Sequence, residues 1–420
     1  MTQTPQVNPF TAVAAGQRHA AYAALARSGP VHQIVMPSGE PAWLLTDHDE
    51  VRRVLADPRL VKGGLLYGPF ADALPPGVAA ACFSHLLNQD PPDHTRLRRL
   101  VSAAFTRRRV ERLAPRIEQI AETLLDALDD TTETDLITTF AYPLPMTVIC
   151  ELLGVPEHAR ADFRGWTTTM ITGSFAVQDV YVSAAGAMST YIRELLDDKR
   201  REPADDLLSA LVAVRDGGDR LSDDELTSMV FLLVAAGHET TVNLIGNGVH
   251  ALLTHPEQLA LLRAEPHRLP AAVEELLRFA GPLQVALPYR TTEPVELGGV
   301  MIPAGETVFP GLLAANRDPA RMPDPDLLDV ARPQNPHLAF GHGIHHCLGA
   351  PLARIEGRIA LGALLSRFPQ LRLAVPPHTL TWRPNVLMHG LTALPVALRE
   401  TGEERTAGPT PSWTTAWTQR

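Results

Sequence analysis

Cysteine is scarce in this sequence, and so are aromatic residues. Only 3 cysteines occur among 420 residues, and because they lie far apart we predict no disulfide framework. Aromatic residues make up 5% of the chain, whereas alanine, leucine and arginine are abundant, which favours helices. No apolar run of about 18 residues appears, so we predict no membrane span. No signal segment begins the chain, and we expect a cytoplasmic protein.

Basic residues are also fewer than acidic residues. The formal net charge of -10 at pH 7 argues against general nucleic-acid binding. Hydrophobic residues make up 45% of the chain, which is enough for a large core, and no internal repeat is apparent. The stretch 401–420 has Thr, Pro and Gly but no periodicity, and it predicts a flexible C-terminal tail.

Periodicity predicts most of the secondary structure. Long helices are expected over Val110–Leu128 and Leu136–Leu153. Hairpins are expected where Val31–Met36 meets Ala42–Thr46 and across Val295–Val308. A pair of strands is expected near Val386–Met388.

The most informative stretch reads FGHGIHHCLGAP and spans residues 340–351. Gly341 and Gly343 lack Cβ, so they allow a tight turn and close approach to a bulky group. Cys347 stands just before a predicted helix, whose free N–H groups and dipole favour a thiolate over a thiol. A lone cysteine is more often a buried structural residue, but such a residue needs neither the glycines nor the helix. Zinc, with His342 and His346, is disfavoured because the run lacks paired ligand spacing.

This stretch resembles the haem-ligand signature of the cytochrome P450 family, which it matches at Phe340, Gly341, Gly343, His345, Cys347, Gly349, Leu352, Ala353 and Arg354. The resemblance implies a mainly α fold with small β-sheets, shaped as a triangular prism with a long central helix over the haem. It implies one such domain over residues 1–400, with Cys347 as the axial ligand of the haem iron. It also implies cofactor contacts for Phe340, Gly341 and Gly349, and a haem propionate contact for His345.

A second motif lies in a long apolar helix. Ser222 and Glu225 form a capping box that opens a helix running to about Thr254, apolar all round at its middle. Burying Glu239 there is costly unless it is neutral or paired, which indicates a functional site. The alternative is a kinked helix with threonine hydroxyls bonded back to carbonyls. The motif Ala236–Thr241 resembles the family's oxygen-activation motif. That resemblance implies that Glu239 gates proton delivery, that Thr240 donates a proton, and that Ala236 and Gly237 contact the cofactor.

Basic and paired residues elsewhere match further family positions. His94 and Arg98 are four residues apart and share a helix face suited to an anionic group. The resemblance implies that they bind haem propionates together with Arg290. Glu275 and Arg278 are three residues apart, a spacing that is by itself weak evidence for a functional ion pair. The resemblance implies that they are a structural pair, joined by Arg332.

The substrate is predicted to be lipophilic. The segment Leu60–Leu87 is rich in Gly, Pro and apolar residues. This composition favours a lid that covers an apolar pocket rather than a mobile surface loop. The junction Met170–Val177 fits ordinary core or a substrate cover equally well. Candidate pocket residues are Leu65, Leu66, Phe83, Leu86, Ile171, Phe175, Val234, Val285, Leu287 and Leu387.

The chain as a whole is similar to actinobacterial family members that hydroxylate macrolides and other polyketides. The resemblance implies a monooxygenase with haem b that inserts one oxygen atom from O2 into a C–H bond, by hydroxylation or epoxidation. A terpenoid, steroid or peptide product is the alternative substrate. A haem-thiolate enzyme that does not use O2 and a non-catalytic haem protein are alternative functions.

Electrons must come from another protein, because no flavin or nicotinamide fingerprint appears. The resemblance implies a monomer supplied from NAD(P)H by a ferredoxin reductase and a ferredoxin, which should face the cysteine side of the haem. A basic patch could steer an acidic ferredoxin; it consists of Arg96, Arg99 and Arg107–Arg109.

Overall fold

A computed structural model describes residues 8–11, 17–63, 74–172, 178–215 and 217–399. Helices dominate it, as the composition predicts. The α-helices are α1 (Gln17–Ser28), α2 (His48–Val54), α3 (Pro76–Phe83), α4 (Asp93–Ala104), α5 (Arg107–Glu111), α6 (Ala114–Asp126), α7 (Pro143–Leu152), α8 (Arg160–Thr172), α9 (Gln178–Arg201), α10 (Leu207–Ala213), α11 (Asp223–Thr254), α12 (Pro256–Ala264), α13 (Leu269–Ala280), α14 (Leu312–Ala315) and α15 (Ala350–Arg367).

The strands are short and form small sheets. They are β1 (Val31–Val35), β2 (Pro41–Leu45), β3 (Leu60–Val61), β4 (Glu133–Asp135), β5 (Tyr289–Thr291), β6 (Val295–Leu297), β7 (Val300–Ile302), β8 (Thr307–Pro310), β9 (Arg372–Leu373) and β10 (Pro395–Ala397). A 5-stranded sheet has the order β1-β2-β8-β5-β3, a 3-stranded sheet has the order β4-β10-β9, and β6 pairs with β7. Single turns of 3₁₀ helix also occur, and a π-helical segment precedes α7 at Ile137–Ala141.

The chain divides into two compact units. The first contains Met1–Leu60, Leu113–Leu144 and Thr240–Arg420, and the second contains Val61–Arg112 and Pro145–Glu239. One of the four points at which the chain passes from one unit to the other lies inside α11, between Glu239 and Thr240.

The first unit is built around the mixed sheet. Strands β1 and β2 form the predicted antiparallel hairpin, with Val31 opposite Leu45. Asp47 then caps α2 by accepting a hydrogen bond from the Glu50 amide at 2.9 Å, which satisfies one of the amide groups that a helix start leaves without a partner. A buried cluster that includes Leu45, Val54 and Val308 packs on this sheet. The sheet and α2 therefore share one apolar core.

The second unit is mostly helical. In it α9 packs against α8, α10 and α3, while α4 packs against α10. Phe163, Ile192 and Leu207 are among its fully buried side chains. Asp206 caps α10 by accepting a hydrogen bond from the Ser209 amide at 2.7 Å.

The longest helix, α11, begins with the predicted capping box. The Ser222 hydroxyl accepts from the Glu225 amide at 3.2 Å, and the Glu225 carboxylate accepts from the Ser222 amide at 2.8 Å. The helix is continuous over its 32 residues. By length and composition it would pass as a membrane span, but 67% of the apolar window is buried inside the protein, as in a core helix.

Three predictions of secondary structure are wrong in detail. The helix expected over Val110–Leu128 is two helices, because the chain turns at Arg112 and Leu113 and Pro115 starts a new first turn. The hairpin expected across Val295–Val308 ends at Ile302, and Val308 instead lies in β8, which pairs in parallel with β2.

The third error concerns the expected strands near Val386–Met388. Only a single bridge forms there, between Leu283 and Met388. The Asn385 side chain accepts from the amides of Leu387 and Met388 at 2.8 and 2.7 Å, which turns the backbone away from an extended strand. The expected lid contains the helix α3, which was not predicted. Several predictions lie outside the described residues: Leu65, Leu66, Phe175, the Ile171 side chain and the tail 401–420.

Candidate active site

The loop that carries Cys347 is a tight turn held by its own backbone. The Cys347 amide donates to the Phe340 carbonyl at 2.9 Å, and the Gly341 amide donates to the Leu338 carbonyl at 2.8 Å. A 3₁₀ turn at Gly343–His345 follows, and α15 begins at Ala350. Cys347 therefore lies just before the N-terminus of an 18-residue helix, as the sequence predicts.

Two glycines make this turn possible. Gly341 and Gly343 both have φ of +71°, a left-handed conformation that side chains with Cβ disfavour. A Cβ on Gly343 would collide with the Leu55 carbonyl oxygen, whereas a Cβ on Gly341 would meet nothing within 4 Å. Gly343 thus packs the loop against the protein, while open space lies beside Gly341.

Cys347 differs from the other cysteines in its exposure. It is exposed, whereas Cys82 and Cys150 are buried. Burial raises the thiol pKa of Cys82 to about 12 and that of Cys150 to about 11, so both remain neutral thiols. Of the cysteines, only Cys347 presents its sulfur at the protein surface, where it can bind a ligand.

A basic residue lies near this loop in the first unit. Arg290 is exposed on β5, and within the described residues no hydrogen bond or ion pair engages its guanidinium. The neighbouring Tyr289 ring contacts the His345 ring edge to face, with centroids 6.3 Å apart. The structure therefore brings the strand of Arg290 and the Cys347 loop together.

His94 and Arg98 belong to the second unit. Both lie on α4, with His94 2% exposed and Arg98 partly buried. Burial lowers the His94 pKa, and the Arg98 charge lowers it further despite the opposing effect of Asp90. His94 is therefore a neutral imidazole at pH 7, while Arg98 carries the charge of the pair.

The middle of α11 exposes its smallest residues. Ala235, Ala236 and Gly237 are exposed, while Val234, His238 and Glu239 are at most 3% exposed. Because neighbouring turns of the same helix are buried, this short accessible strip is where a ligand can approach the backbone closely. Thr240 is partly buried and follows the strip directly.

A buried acid that sequence reasoning missed supports this motif. Glu356 lies on α15, is 2% exposed, and accepts a hydrogen bond from the Thr241 hydroxyl at 3.3 Å. Burial raises the Glu356 pKa to about 8, with the Thr241 hydroxyl acting in the opposite direction, so the carboxyl is mostly protonated at pH 7. The signal available in the sequence was a single acid among apolar neighbours in the helix that begins just after the cysteine.

A second missed acid holds Phe340 in place. The Glu274 carboxylate accepts hydrogen bonds from Arg354 at 2.7 and 2.8 Å and contacts His337 Nε2 at 3.1 Å. The Arg354 guanidinium lies 4.4 Å above the Phe340 ring. Burial raises the Glu274 pKa, but the hydrogen bonds from His337 and Arg354 outweigh it and lower the pKa to about 2. The start of the cysteine loop is thus fixed by an ionised network.

Glu275, Arg278 and Arg332 form the network expected of the structural pair. Arg278 donates to both Glu275 oxygens at 2.7 and 2.8 Å, and Arg332 donates to the same carboxylate at 3.1 Å. Glu275 and Arg278 are both 0% exposed. The remaining Arg278 donors bind backbone carbonyls of Asn316, Pro325 and Leu327. One carboxylate thus serves two guanidiniums, and backbone carbonyls accept from the remaining Arg278 donors, so no polar group of the buried pair lacks a partner.

The candidate pocket residues differ in their surroundings. Leu86 and Val234 are at most 4% exposed, while Phe83, Leu287 and Leu387 are partly buried. Val285 is 0% exposed and packs in a core cluster with Phe10 and Tyr22. The structure therefore gives Val285 a packing role in the core.

The predicted basic patch is only partly available. Arg96 forms ion pairs with Asp219 at 3.3 Å and with Glu225, so its charge is already compensated within the protein. Arg107 pairs with Glu111 at 2.7 Å, and Arg109 lies 3.8 Å from Asp205. Arg108 is exposed and lines a cavity of about 500 Å³ in the second unit.

Metal chelation by side chains alone receives no support. Within the described residues, no group of three or more His, Cys, Asp and Glu side chains is placed to hold a metal ion. The site instead has an exposed sulfur in a glycine turn just before a helix. Open space lies beside Gly341, and the strand that carries Arg290 is nearby. This arrangement fits a planar, anionic metal cofactor bound through one thiolate. These features define the class of haem-thiolate proteins.

Comparison with known proteins agrees with this class. The family model named Cytochrome P450 matches residues 162–393. Cytochrome P450 107B1 of Saccharopolyspora erythraea is 50% identical over 400 residues, which cover 94% of this chain and 98% of that protein. Vitamin D(3) 25-hydroxylase of Pseudonocardia autotrophica is 47% identical over 402 residues, covering 94% and 98%. The solved structure of the Bacillus subtilis bacillaene polyketide synthase cytochrome P450 PksS has a TM-score of 0.86 and 40% identity, covering 94% and 100%.

The chain belongs to the cytochrome P450 family. It is a cytochrome P450 monooxygenase with the family's mainly helical fold and small sheets. Family membership brings haem as the cofactor and electrons from redox partners.

Proposed function

We propose that this monooxygenase inserts one oxygen atom from O2 into a C–H bond of a macrolide or other polyketide. The observation that carries the proposal is the exposed Cys347 sulfur at the end of its glycine turn. Bound through that thiolate, haem b supplies the oxygen chemistry, since an electron-rich sulfur ligand favours O–O cleavage. The protein supplies binding, orientation and protons.

The proposed cofactor contacts follow the family motifs. Cys347 is the iron ligand, and His94, Arg98, Arg290 and His345 hold the propionates, because basic and hydrogen-bonding groups stabilise carboxylates. The small or flat residues would contact the haem ring; they are Ala236, Gly237, Phe340, Gly341 and Gly349. The exposure of Ala236 and Gly237 in an otherwise buried helix supports this assignment.

Proton delivery is assigned to the α11 motif. With haem bound, Glu239 would pass protons inward and the Thr240 hydroxyl would donate one, and the cofactor would supply the O–O cleavage that needs these protons in order. If this is correct, Thr240→Ala lowers product formed per O2 consumed. Turnover that persists in this variant with unchanged coupling would instead favour a haem-thiolate enzyme that does not use O2.

Electrons are proposed to come from NAD(P)H through a ferredoxin reductase and a ferredoxin. The exposed Arg108 and the arginines around it support docking of an acidic partner. We propose that the protein is a cytoplasmic monomer, as the family resemblance implies.

A polyketide is the first candidate substrate and a steroid-type molecule is the second. The proposal of a polyketide substrate is supported by the solved structure of PksS, whose name assigns it to a polyketide synthase. The relative named vitamin D(3) 25-hydroxylase supports the second. The proposed lining is Phe83, Leu86, Val234, Leu287 and Leu387, whose apolar side chains favour either kind of lipophilic molecule.

The cofactor assignment is tested by the spectrum of the reduced protein with carbon monoxide. The wild type should show the Soret band of thiolate-ligated haem, and Cys347→Ser should lose it. Cys82→Ala removes a buried thiol elsewhere and should keep the band. Identical spectra for wild type and Cys347→Ser would overturn the assignment.

The substrate is tested by spectral titration of the oxidised holoprotein. Macrolides and linear polyketides are titrated in parallel with vitamin D3, and a binding compound should displace the iron-bound water and shift the Soret band. A response to vitamin D3 alone would favour the steroid-type substrate. No response to any lipophilic compound would favour a non-catalytic haem protein.

A further inference from the structure

Arg18 is a buried arginine whose guanidinium is mostly unsatisfied. It lies on α1 in the first unit and is 2% exposed. Its Nη2 donates to the Arg383 carbonyl oxygen at 3.1 Å. Its Nε and Nη1 are buried and have no hydrogen-bond partner. Arg18 is one of the largest fully buried side chains of the described residues, so solvent does not explain these donors.

Tyr22 presents a second unsatisfied donor beside it. Tyr22 is four residues after Arg18 on the same helix, which places both side chains on one face. It is also 2% exposed, and its hydroxyl has no hydrogen-bond partner. Burial raises the Tyr22 pKa, although the Arg18 charge acts against this. The hydroxyl therefore stays protonated and can donate a hydrogen bond.

The surroundings add one further cation and no acid for Arg18, since Arg317 already pairs with Asp326 at 2.9 Å and burial keeps His19 and His389 neutral. His19, beside Arg18 in the chain, contacts the ring of His389 edge to face at 5.3 Å, and His389 stacks on Trp382 at 4.0 Å. Burial and then the charge of Arg18 lower the His389 pKa to about 3. Arg317 lies close enough to act on both histidines. Among the residues that the structure describes, no carboxylate forms an ion pair with Arg18.

An uncompensated buried arginine is unfavourable for a clear physical reason. A buried lysine or histidine can lose its proton, but the guanidinium stays charged at any relevant pH. Transferring an isolated charge out of water is costly unless a counter-charge and hydrogen bonds replace the water. The two unsatisfied nitrogens of Arg18 and the hydroxyl of Tyr22 are the donors that a counter-anion would use.

We propose that Arg18 and Tyr22 form a buried binding site for a small monovalent anion of the size of chloride. The enclosure of both side chains selects against bulky organic anions. An anion in the site adds a second partner for Arg18 beside the Arg383 carbonyl and so strengthens the attachment of α1 to the segment Trp382–Leu391. This role is separate from catalysis and does not depend on the proposed substrate.

The first test measures the thermal stability of the holoprotein against chloride at constant ionic strength, with sodium gluconate as the balancing salt. The wild-type Tm should rise by about 1 to 2 °C for each tenfold increase in chloride above its Kd. Tyr22→Phe should lose most of this rise. Because its hydroxyl bonds no protein group, a purely structural role predicts that Tyr22→Phe keeps the same chloride dependence as the wild type.

Arg18→Met and Arg27→Gln complete the comparison. Arg18→Met removes the charge, so its Tm should be independent of chloride and, in gluconate, at least equal to that of the wild type. Arg27 is exposed on the same helix, and Arg27→Gln should retain the full chloride response. If Arg18→Met fails to fold, the Tyr22→Phe comparison still decides the question.

Bromide provides a direct test. Crystals of the holoprotein grown or soaked in bromide should show anomalous density within hydrogen-bond distance of the Arg18 Nε or Nη1 and the Tyr22 hydroxyl. The proposal is wrong if no such density appears and if the Tm of wild type and Tyr22→Phe responds equally to chloride. Buried water would then be the partner of Arg18.

Discussion

At the scale of single residues, the same chemical group behaves differently according to its surroundings. Cys347 is exposed at a helix start, while Cys82 and Cys150 are buried neutral thiols. The carboxyls differ in the same way. Glu274 is ionised, with its pKa held at about 2 by His337 and Arg354 against the effect of burial, whereas burial alone raises the Glu356 pKa to about 8. Environment thus decides which groups carry charge near the cysteine loop.

The protonation of Glu356 gives a prediction about pH. Its folded pKa of about 8 lies above the ordinary value of 4.5, so its contribution to stability is full below pH 4.5 and is lost as pH rises towards 8. Glu356→Gln keeps a neutral side chain that can accept the hydrogen bond from Thr241. Because glutamine does not ionise, the variant does not lose stability as the pH rises. The stability of the variant relative to wild type should therefore increase from pH 5 to pH 8, by up to about 1.4 kcal/mol per pH unit.

This change is measured by urea unfolding of the holoproteins followed by far-ultraviolet circular dichroism at several pH values. Above pH 8 the difference should become constant. Parallel stability profiles for the two proteins between pH 5 and pH 8 would show that Glu356 is ionised in the folded protein.

At the scale of elements, α15 connects the main parts of the first unit's site. It begins beside Cys347, places Arg354 over Phe340, and carries Glu356 to Thr241 on α11. Gly357 allows the close approach of the two helices, since a Cβ there would lie 3.0 Å from the Leu244 side chain. The helix α13 supports the same region with Glu274 and Glu275, which are adjacent in sequence but hold separate networks.

The Glu275 network predicts a large loss of stability when it is broken. Glu275→Gln leaves Arg278, which is 0% exposed, as an uncompensated buried charge, and such changes cost about 3–5 kcal/mol. Glu265→Gln is the matched control, because Glu265 and Arg268 form a partly exposed pair at 2.8 Å whose loss costs about 0–1 kcal/mol. Urea unfolding of both variants measures the difference.

Retention of haem provides a second measurement on the same proteins. Glu275→Gln should lower the amount of haem retained per polypeptide, because its network anchors the chain that leads to the cysteine loop. Equal unfolding midpoints for the two variants would show that the buried pair contributes no more than a surface pair.

At the scale of the whole molecule, the proposed acidic ferredoxin would have to deliver electrons to a protein of net charge -10. A local basic patch can overcome the total charge because the field at close range depends on nearby groups. Arg96 contributes little to such a patch, since Asp219 and Glu225 neutralise it. The exposed Arg108 is the better candidate for steering.

Reduction by ferredoxin should therefore depend on salt and on Arg108. We expect Arg108→Glu to slow the second-order reduction rate several-fold at low salt and to weaken its dependence on ionic strength, since steering is screened over about 10 Å at 0.1 M salt. Arg27→Glu, an equal charge change on α1, should have a smaller effect. Stopped-flow reduction in the presence of carbon monoxide measures the rate, and equal effects of the two variants would contradict docking at the patch.

The sequence by itself determined the features that depend on neighbours along the chain. The cap of Asp47 on α2, the capping box of α11 and the turn before α15 all follow from residues within a few positions. Such signals are readable because helix starts and turns impose local chemical requirements. The motif around Cys347 was long enough to indicate the family as well.

Only the tertiary structure decided the pairings between distant segments. Thr241 meets Glu356 across 115 positions, Glu274 meets Arg354 across 80, and β8 joins β2 in parallel. The burial of Arg18 was equally hidden from sequence reasoning, whereas Pro115 was a local signal for the break at Arg112 that the prediction overlooked. Burial sets whether a carboxyl is neutral or a guanidinium lacks a partner, and burial depends on which distant segments pack together rather than on local sequence.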